Sequence, residues 1–415
     1  MRDILLGREP ADYDVATAAT PDEVMAIFPR TFAVGAQFGV VLVPTPDDAA
    51  TIEVATFRSD GLYSDGRHPD EVRFTKSAEE DVRRRDFTIN GLLLDPLDGD
   101  KVLDFVGGLK DIAAQCIRTI GAPAQRFGED KLRMLRAVRF AARFGYAIVP
   151  ETMRAIQSLA AQIHQVSKER VRDELTKMLT EGKARRAFEL LNESGLLHQV
   201  LPEVKRYQGV EQPPQFHPEG DVWTHTLMML EGLDGVSPTL AWAVLLHDVG
   251  KPPTFRRAPD RIRFDNHADI GARMAASIGQ RLRMSNDDIE QIVSIVAQHM
   301  KFPELPKMRE STLKRFLRQP RFDEHLEMHR LDCLGSHRDL TLYELARQKL
   351  AELPEEQIRP KPLVTGDDLI AAGYQPGPAF KEMLLELEDA QLEGAITTRE
   401  EALEMAKKKW PVNSG

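Results

Sequence analysis

Two aspartates one residue apart, Asp12 and Asp14 in "REPADYDVAT", are the first residues in the chain whose type and spacing suggest chemistry. Residues i and i+2 of a strand share a face, so the two carboxylates would stand side by side. Such a pair repels itself unless a divalent cation intervenes. Hard oxygen ligands suit Mg²⁺, and a two-metal site stabilises both the attacking and the leaving oxygen of a phosphoryl transfer. A solvated turn explains the same residues, because Pro10 and Asp12 are common turn formers. A third carboxylate could join such a pair; Glu53, in "TIEVATF", is the candidate, and a salt bridge to an arginine is its alternative role.

A second constellation lies further on. "FHPEGDVWTHTLMML", "AVLLHDVGKPPT", "DNHADIGARMA" and "IVAQHM" place histidines on separate segments, followed by "HRLDCLGSHRDL". Adjacent His247 and Asp248 would have to leave one helical turn towards a common ion, and imidazole with carboxylate suits transition metals. A lone buried histidine is usually a satisfied core residue, but four such segments in order are harder to read that way.

A nucleoside triphosphate needs several cations, and arginine matches phosphate oxygens bidentately. "RRRDFTIN" sets Arg83, Arg84 and Arg85 beside Asp86 and Asn90; a solvated charge cluster is the bland alternative. In "EDKLRMLRAVRFAARF", Arg133, Arg136, Arg139 and Arg143 recur at spacings of three and four. They share one helix face, while Leu132, Leu135, Val138 and Phe140 pack elsewhere, which predicts a cationic stripe towards a cleft or water.

The elements that must position these groups follow from pattern and length. A chain of 415 residues suggests two to four domains. Residues 1 to about 105 mix β-rich runs such as "TFAVGAQFGVVLV" and "TIEVATFR" with helical stretches, an α+β pattern. Beyond about 110 amphipathic helices dominate, and "DKLRMLRAVRFAARFG" and "KARRAFELLNESG" each end on a glycine cap. "RYQGVEQPPQFHPEGD" reads as a linker, and "ELPEEQIRPKPLV" separates a last helical segment. Apolar residues make up 42% and charged residues 29%, with no run of about 18 apolar residues to span a bilayer. The net charge of −10 argues against a uniformly nucleic-acid-binding surface but leaves room for a local basic groove. Two distant cysteines, Cys116 and Cys333, and no visible secretory signal point to a reducing cytoplasm.

"RDILLGREPADYDVAT", "IEVATFR", "EEDVRRRDFTING", "DFVGGLKDI" and "FGEDKLRMLRAVRFAARFGY" occur in an order that resembles bacterial tRNA nucleotidyltransferases and poly(A) polymerases, the class II group of the polymerase-β-like superfamily. The resemblance implies an α+β head over 1–108, followed by all-α parts: a neck over 109–208 that carries the nucleotide template and binds RNA, an HD domain over 209–350 and a tail over 364–408. It implies Asp12 and Asp14 as ligands of catalytic Mg²⁺ and Arg2, Arg85, Asp86 and Asn90 as nucleotide-binding. It further implies that Asp130 and Arg133 read the base edge, oriented by Glu129, and that Arg136 and Arg139 contact the nucleotide. The histidine segments resemble the HD phosphohydrolase domain behind such heads, which implies His225, His247, Asp248 and Asp332 as ligands of a divalent transition metal, with His267 and His299 at a second site or on phosphate. The implied activity is repair or synthesis of the 3′-terminal CCA of tRNA from CTP and ATP, with release of pyrophosphate. Poly(A), A-only and CC-only addition share these motifs, and "AVGAQFGVV" lacks the basic pair associated with the poly(A) branch. An HD hydrolase with an impaired head and a non-catalytic RNA-binding protein are the readings of other classes. Family members carry a short strand and a Gly-Gly pair before the motif that begins here at Met1, so the expectation is a truncated start.

Overall fold

The computed structural model describes residues 1–10, 13–33, 39–45, 47, 50–60, 72–215 and 217–411. Asp12 and residues 34–38 of the first β-rich run lie outside the described residues. The chain divides into two compact units: one of residues 1–209, 230–242 and 278–285, the other of residues 210–229, 243–277 and 286–415.

The first unit begins with the sheet that carries Asp14. Strand β1 (Asp14–Thr17), β2 (Val40–Pro44) and β3 (Thr51–Thr56) lie in the order β1-β3-β2, with β1 parallel and β2 antiparallel to β3. Alternation along β2 turns Val41 and Val43 inward. They meet Val54 of β3 and Val24 of the Pro21–Ile27 helix in a small core. That helix starts where "TPDE" places a threonine–glutamate capping box, Thr20 with Glu23, ahead of a proline in the first turn. The core fixes one sheet face, and the register then pairs Asp14 with Glu53.

Beyond the sheet, the Ala78–Arg83 helix starts from the side-chain cap of Ser77 and delivers Arg84 and Arg85 at its end. A short 3₁₀ turn, Thr88–Asn90, follows. Gly108 packs against it so closely that a Cβ would come within 2.3 Å of the Thr88 carbonyl oxygen. The Leu132–Phe144 helix buries Leu132, Met134, Leu135, Ala137, Val138 and Phe140 and ends on Gly145 in the left-handed conformation, φ 71°. It packs against the Lys168–Thr180 and Ala184–Glu193 helices. A two-residue parallel pair, Cys116–Ile117 with Ala147–Ile148, lies among these helices, a strand too short to leave a periodic signal.

Among its described residues the second unit is helical apart from one antiparallel hairpin, Phe255–Arg257 with Ile262–Phe264, whose connection carries a turn-forming Pro-Asp. One core gathers Phe302, Leu305, Phe316, Phe322 and Ile358. A separate core of Val364, Leu369, Tyr374, Met383, Leu387 and Ile396 serves the last helices. No helix among the described residues is long and apolar enough to cross a membrane.

Candidate functional site

In the first unit, residues paired across parallel strands project on the same side, so Asp14 and Glu53 set two exposed carboxylates together. Two adjacent hard-oxygen donors fit a divalent cation better than they fit each other.

The arginines stand on buried carboxylates. Asp81 takes Arg84 on one oxygen at 2.7 Å and Arg85 on the other at 3.0 Å. Burial alone would raise the Asp81 pKa, but the two guanidiniums outweigh it and hold the group below its ordinary value. Asp86 accepts from Arg136 Nε at 2.8 Å, from Asn90 Nδ2 at 2.9 Å and from the Phe87 amide at 2.8 Å. It too is held low against its burial. Arg2 donates to the Asn90 side-chain carbonyl and lies 4.7 Å from the Phe144 ring centroid. Arg2, Asp86, Asn90 and Arg136 thus form one hydrogen-bonded chain, while Arg85 reaches the Asn90 carbonyl oxygen at 3.3 Å.

The stripe expected to face a cleft or water is divided: Arg133 and Arg139 are turned away from water, while Arg136 and Arg143 stay partly exposed. Arg139 is 5% exposed and donates to Glu174 at 2.6 Å. Arg133 donates to Glu129 at 2.6 Å and to the Arg84 carbonyl oxygen at 3.2 Å. Asp130 is held by Arg170 at 2.7 Å. Helical spacing correctly grouped the arginines, but it cannot see the carboxylates on neighbouring helices that turn part of the stripe inward. Asp81 was legible, three and four residues before Arg84 and Arg85. Arg170 and Glu174, 40 and 35 residues from their partners, left no such signal. Arg139→Ala is expected to destabilise the protein by about 3–5 kcal/mol, because a buried carboxylate would lose its near partner. Urea denaturation followed by circular dichroism would measure it, and a change under about 1 kcal/mol would contradict the role given to this pair.

In the second unit, five segments bring His225, His247, Asp248, His267, His299 and Asp332 together. Three of the imidazoles are fixed in the same way: Nδ1 of His247, His267 and His299 lies 2.9, 3.0 and 2.7 Å from the carbonyl oxygen three residues earlier, of Val244, Phe264 and Val296. A carbonyl only accepts, so each Nδ1 donates and Nε2 is the nitrogen turned towards the other site residues. Burial, then His247 nearby, pushes His299 down to about 3, so it stays neutral. Yet His267 Nε2 and His299 Nε2 face each other at 3.3 Å. His247 Nε2 lies 3.1 Å from Asp248 Oδ2; both atoms are buried, and among the described residues neither makes an aligned hydrogen bond, although Oδ2 is ion-paired to Lys251. His225 Nε2 lies 3.1 Å from Asp332 Oδ1, again without hydrogen-bond alignment. Two ligands about 2.1 Å from one metal ion stand roughly 3.0 Å apart at a right angle and about 3.4 Å apart at the tetrahedral angle. These donor separations therefore fit shared cations. Lys251 contributes a cation at 2.8 Å from Asp248 Oδ2, and the carboxyl of Asp248 is held well below its ordinary range against its burial.

Comparison with known proteins agrees with both regions. Residues 1–118 match the poly A polymerase head domain, residues 145–208 the probable RNA and SrmB-binding site of polymerase A, and residues 221–331 the HD domain. Similarity to the CCA-adding enzyme of Enterococcus faecalis runs at 31% identity over 415 residues, 99% of this chain and 90% of that one. The chain belongs to the CCA-adding enzyme family. Similarity to the CCA-adding enzyme of Geobacillus stearothermophilus is higher, 45%, over 196 residues, 47% of this chain and 48% of that protein; the chain spans about half the length of relatives matched at this level. Among solved structures, the Bacillus stearothermophilus CCA-adding enzyme in complex with CTP superposes with a TM-score of 0.71 at 28% identity, covering 98% of this chain and 92% of that one. The three matched regions follow one another along the chain as a polymerase head, an RNA-binding region and an HD domain.

Proposed function

We propose that the chain adds or repairs the 3′-terminal CCA of tRNA without a nucleic-acid template, using CTP and ATP and releasing pyrophosphate. The observation that carries this reading is the pairing of Asp14 with Glu53 in the unit that also gathers the Asp81- and Asp86-anchored arginines, within a chain matched end to end by a CCA-adding enzyme. Asp14 and Glu53, with Asp12, would hold Mg²⁺, which when bound lowers the pKa of a coordinated hydroxyl and neutralises phosphate charge. The chain's own groups supply the rest. Arg85 and Arg2, held by Asp81 and Asn90, present guanidiniums to the triphosphate. Asp86 fixes Arg136, and Glu129 and Arg170 fix the template pair Arg133 and Asp130, so the donors are oriented before a base arrives. Arg139, assigned to the nucleotide by resemblance, acts from its buried place by holding Glu174, whose other oxygen lies 3.9 Å from Arg136. We place the functional boundaries at 1–108, 109–208, 209–350 and 364–408. A cytoplasmic setting fits a tRNA substrate and two free, buried cysteines.

The test supplies CTP and ATP separately to tRNA ending before C, after C and after CC. Stepwise completion to CCA and no further supports the reading. Incorporation of CTP but never of ATP, of ATP but never of CTP, or of a long A tract would replace it with CC-only, A-only or poly(A) addition. No incorporation, with phosphate release retained, would favour the HD hydrolase.

A second activity is supported by the imidazole nitrogens that converge in the HD region. Asp248 directs Oδ2 to His247 and lies with Oδ1 3.8 and 3.9 Å from His267 and His299. Its two oxygens would serve two transition-metal ions: one with His225, His247 and Asp332, the other with His267 and His299. Such a centre, when loaded, supplies Lewis-acid activation for hydrolysis of phosphate monoesters or 2′,3′-cyclic phosphates. Lys251 lies beside Asp248 to meet phosphate charge.

A further inference from the structure

The HD residues account for one side of His225; the other side is occupied by a residue that the metal reading does not use. Nδ1 of His225 lies 2.8 Å from Oε1 of Glu219, whose side chain is 5% exposed. The same oxygen accepts a hydrogen bond from Nδ1 of His217 at 2.9 Å. The Glu219–His225 contact is close but not aligned along the imidazole N–H, and Oε2 of Glu219 is buried with no hydrogen-bond partner among the described residues. A buried carboxylate with an oxygen unsatisfied costs about 1–3 kcal/mol or more, which a purely structural linker would not retain when a neutral side chain could fill the space.

Charge explains its retention. His225 is fully buried between two carboxylates, Glu219 at one nitrogen and Asp332 at the other. With a cation beyond Nε2, the ring keeps its proton on Nδ1, and a negative charge on that side makes it a stronger donor and fixes its tautomer. The segment carrying Glu219 is tied to the site a second time, because Gln212 Oε1 accepts from Lys251 at 2.6 Å, and Lys251 in turn lies against Asp248. Residues that read as a linker thus reach two groups of the centre from outside the histidine–aspartate motif.

We infer that Glu219 is a positioning residue for the HD metal centre, braced by His217, that orients and charges His225 from outside the ligand set. Glu219 is not itself a ligand: that would require one imidazole ring to bridge separate metal ions through both nitrogens, or a displacement of His217. The inference rests on the metal reading proposed above, and one titration separates the two. Full-length wild type, E219Q, E219A and E219D are stripped of metal and titrated with Co²⁺ against a chelator, following the visible ligand-field bands. Circular dichroism and melting temperature establish that each variant is folded. With Mg²⁺ in excess to occupy the head carboxylates, wild type is expected to take up two equivalents of Co²⁺. E219Q, which keeps the shape but not the charge, is expected to bind one equivalent about 10–100-fold more weakly with altered bands, E219A at least as weakly, and E219D to recover part of the loss. The second equivalent should be unaffected. Wild-type affinity within twofold in both E219Q and E219A would overturn the inference and leave the metal reading standing. A third wild-type equivalent missing in E219Q would overturn it in favour of Glu219 as a ligand. No Co²⁺ uptake by wild type would overturn both readings.

Discussion

Asp14→Ala is expected to lower CTP and ATP incorporation into tRNA by about 10³-fold or more, with substrate binding much less affected. The magnitude follows from the several kcal/mol of transition-state charge stabilisation that a carboxylate-held metal ion provides, each 1.36 kcal/mol being about tenfold in rate. Asp14 is exposed at the start of β1, so the fold should lose little: surface changes away from caps and cores usually stay within about 0.5 kcal/mol. Glu53→Gln removes the adjacent charge while preserving β3, and a smaller loss in the same direction is expected. Single-turnover extension of tRNA ending before the terminal A measures the chemical step, and thermal melting reports the fold. Full-speed incorporation by Asp14→Ala would remove the basis for placing catalysis at this sheet.

Asp248→Ala carries the other large effect. Both of its oxygens face imidazole nitrogens, so its loss is expected to release metal from the HD region and to lower hydrolysis of p-nitrophenyl phosphate and 2′,3′-cyclic AMP by about 10³-fold or more, while CCA addition continues. Stability should fall as well. Lys251 is buried, and removing its ion-pair partner leaves a cation held only by its hydrogen bond to the Gln212 side chain among the described residues, a situation that costs about 3–5 kcal/mol. Asp248→Asn keeps the volume and an oxygen for Lys251, so it separates the two consequences: metal content by mass spectrometry should drop in both variants, but melting temperature should drop further in the alanine. Unchanged metal content in Asp248→Asn would show that this carboxylate does not hold the ions.

What could be read from the sequence was local. The β-rich run "TIEVATFR" marked the strand that carries Glu53, and helical spacing put Arg133, Arg136 and Arg139 on one face of the Leu132–Phe144 helix. The five histidine and aspartate segments announced themselves by order. Partners far along the chain stayed invisible: the register that joins Asp14 to Glu53, the Glu174 that draws Arg139 inward and the Arg170 that holds Asp130 each depend on how separate elements pack. Glu219 was missed for a different reason. Its stretch is rich in proline and glycine, which describes how the backbone turns and says nothing about which side chain the turn delivers.

The parallel match of Asp14 with Glu53 makes this region intolerant of small changes in length. Gaining or losing one residue within Thr51–Thr56 would swing Glu53 to the opposite side of the sheet and carry Val54 out of its core, separating the acids and exposing a valine in one event. Thr45, Asp47 and Ala50, the described residues of the connection between Pro44 and Thr51, enter neither pairing and carry no such duty. Natural variation in length should therefore collect in that connection and avoid the six residues that follow it.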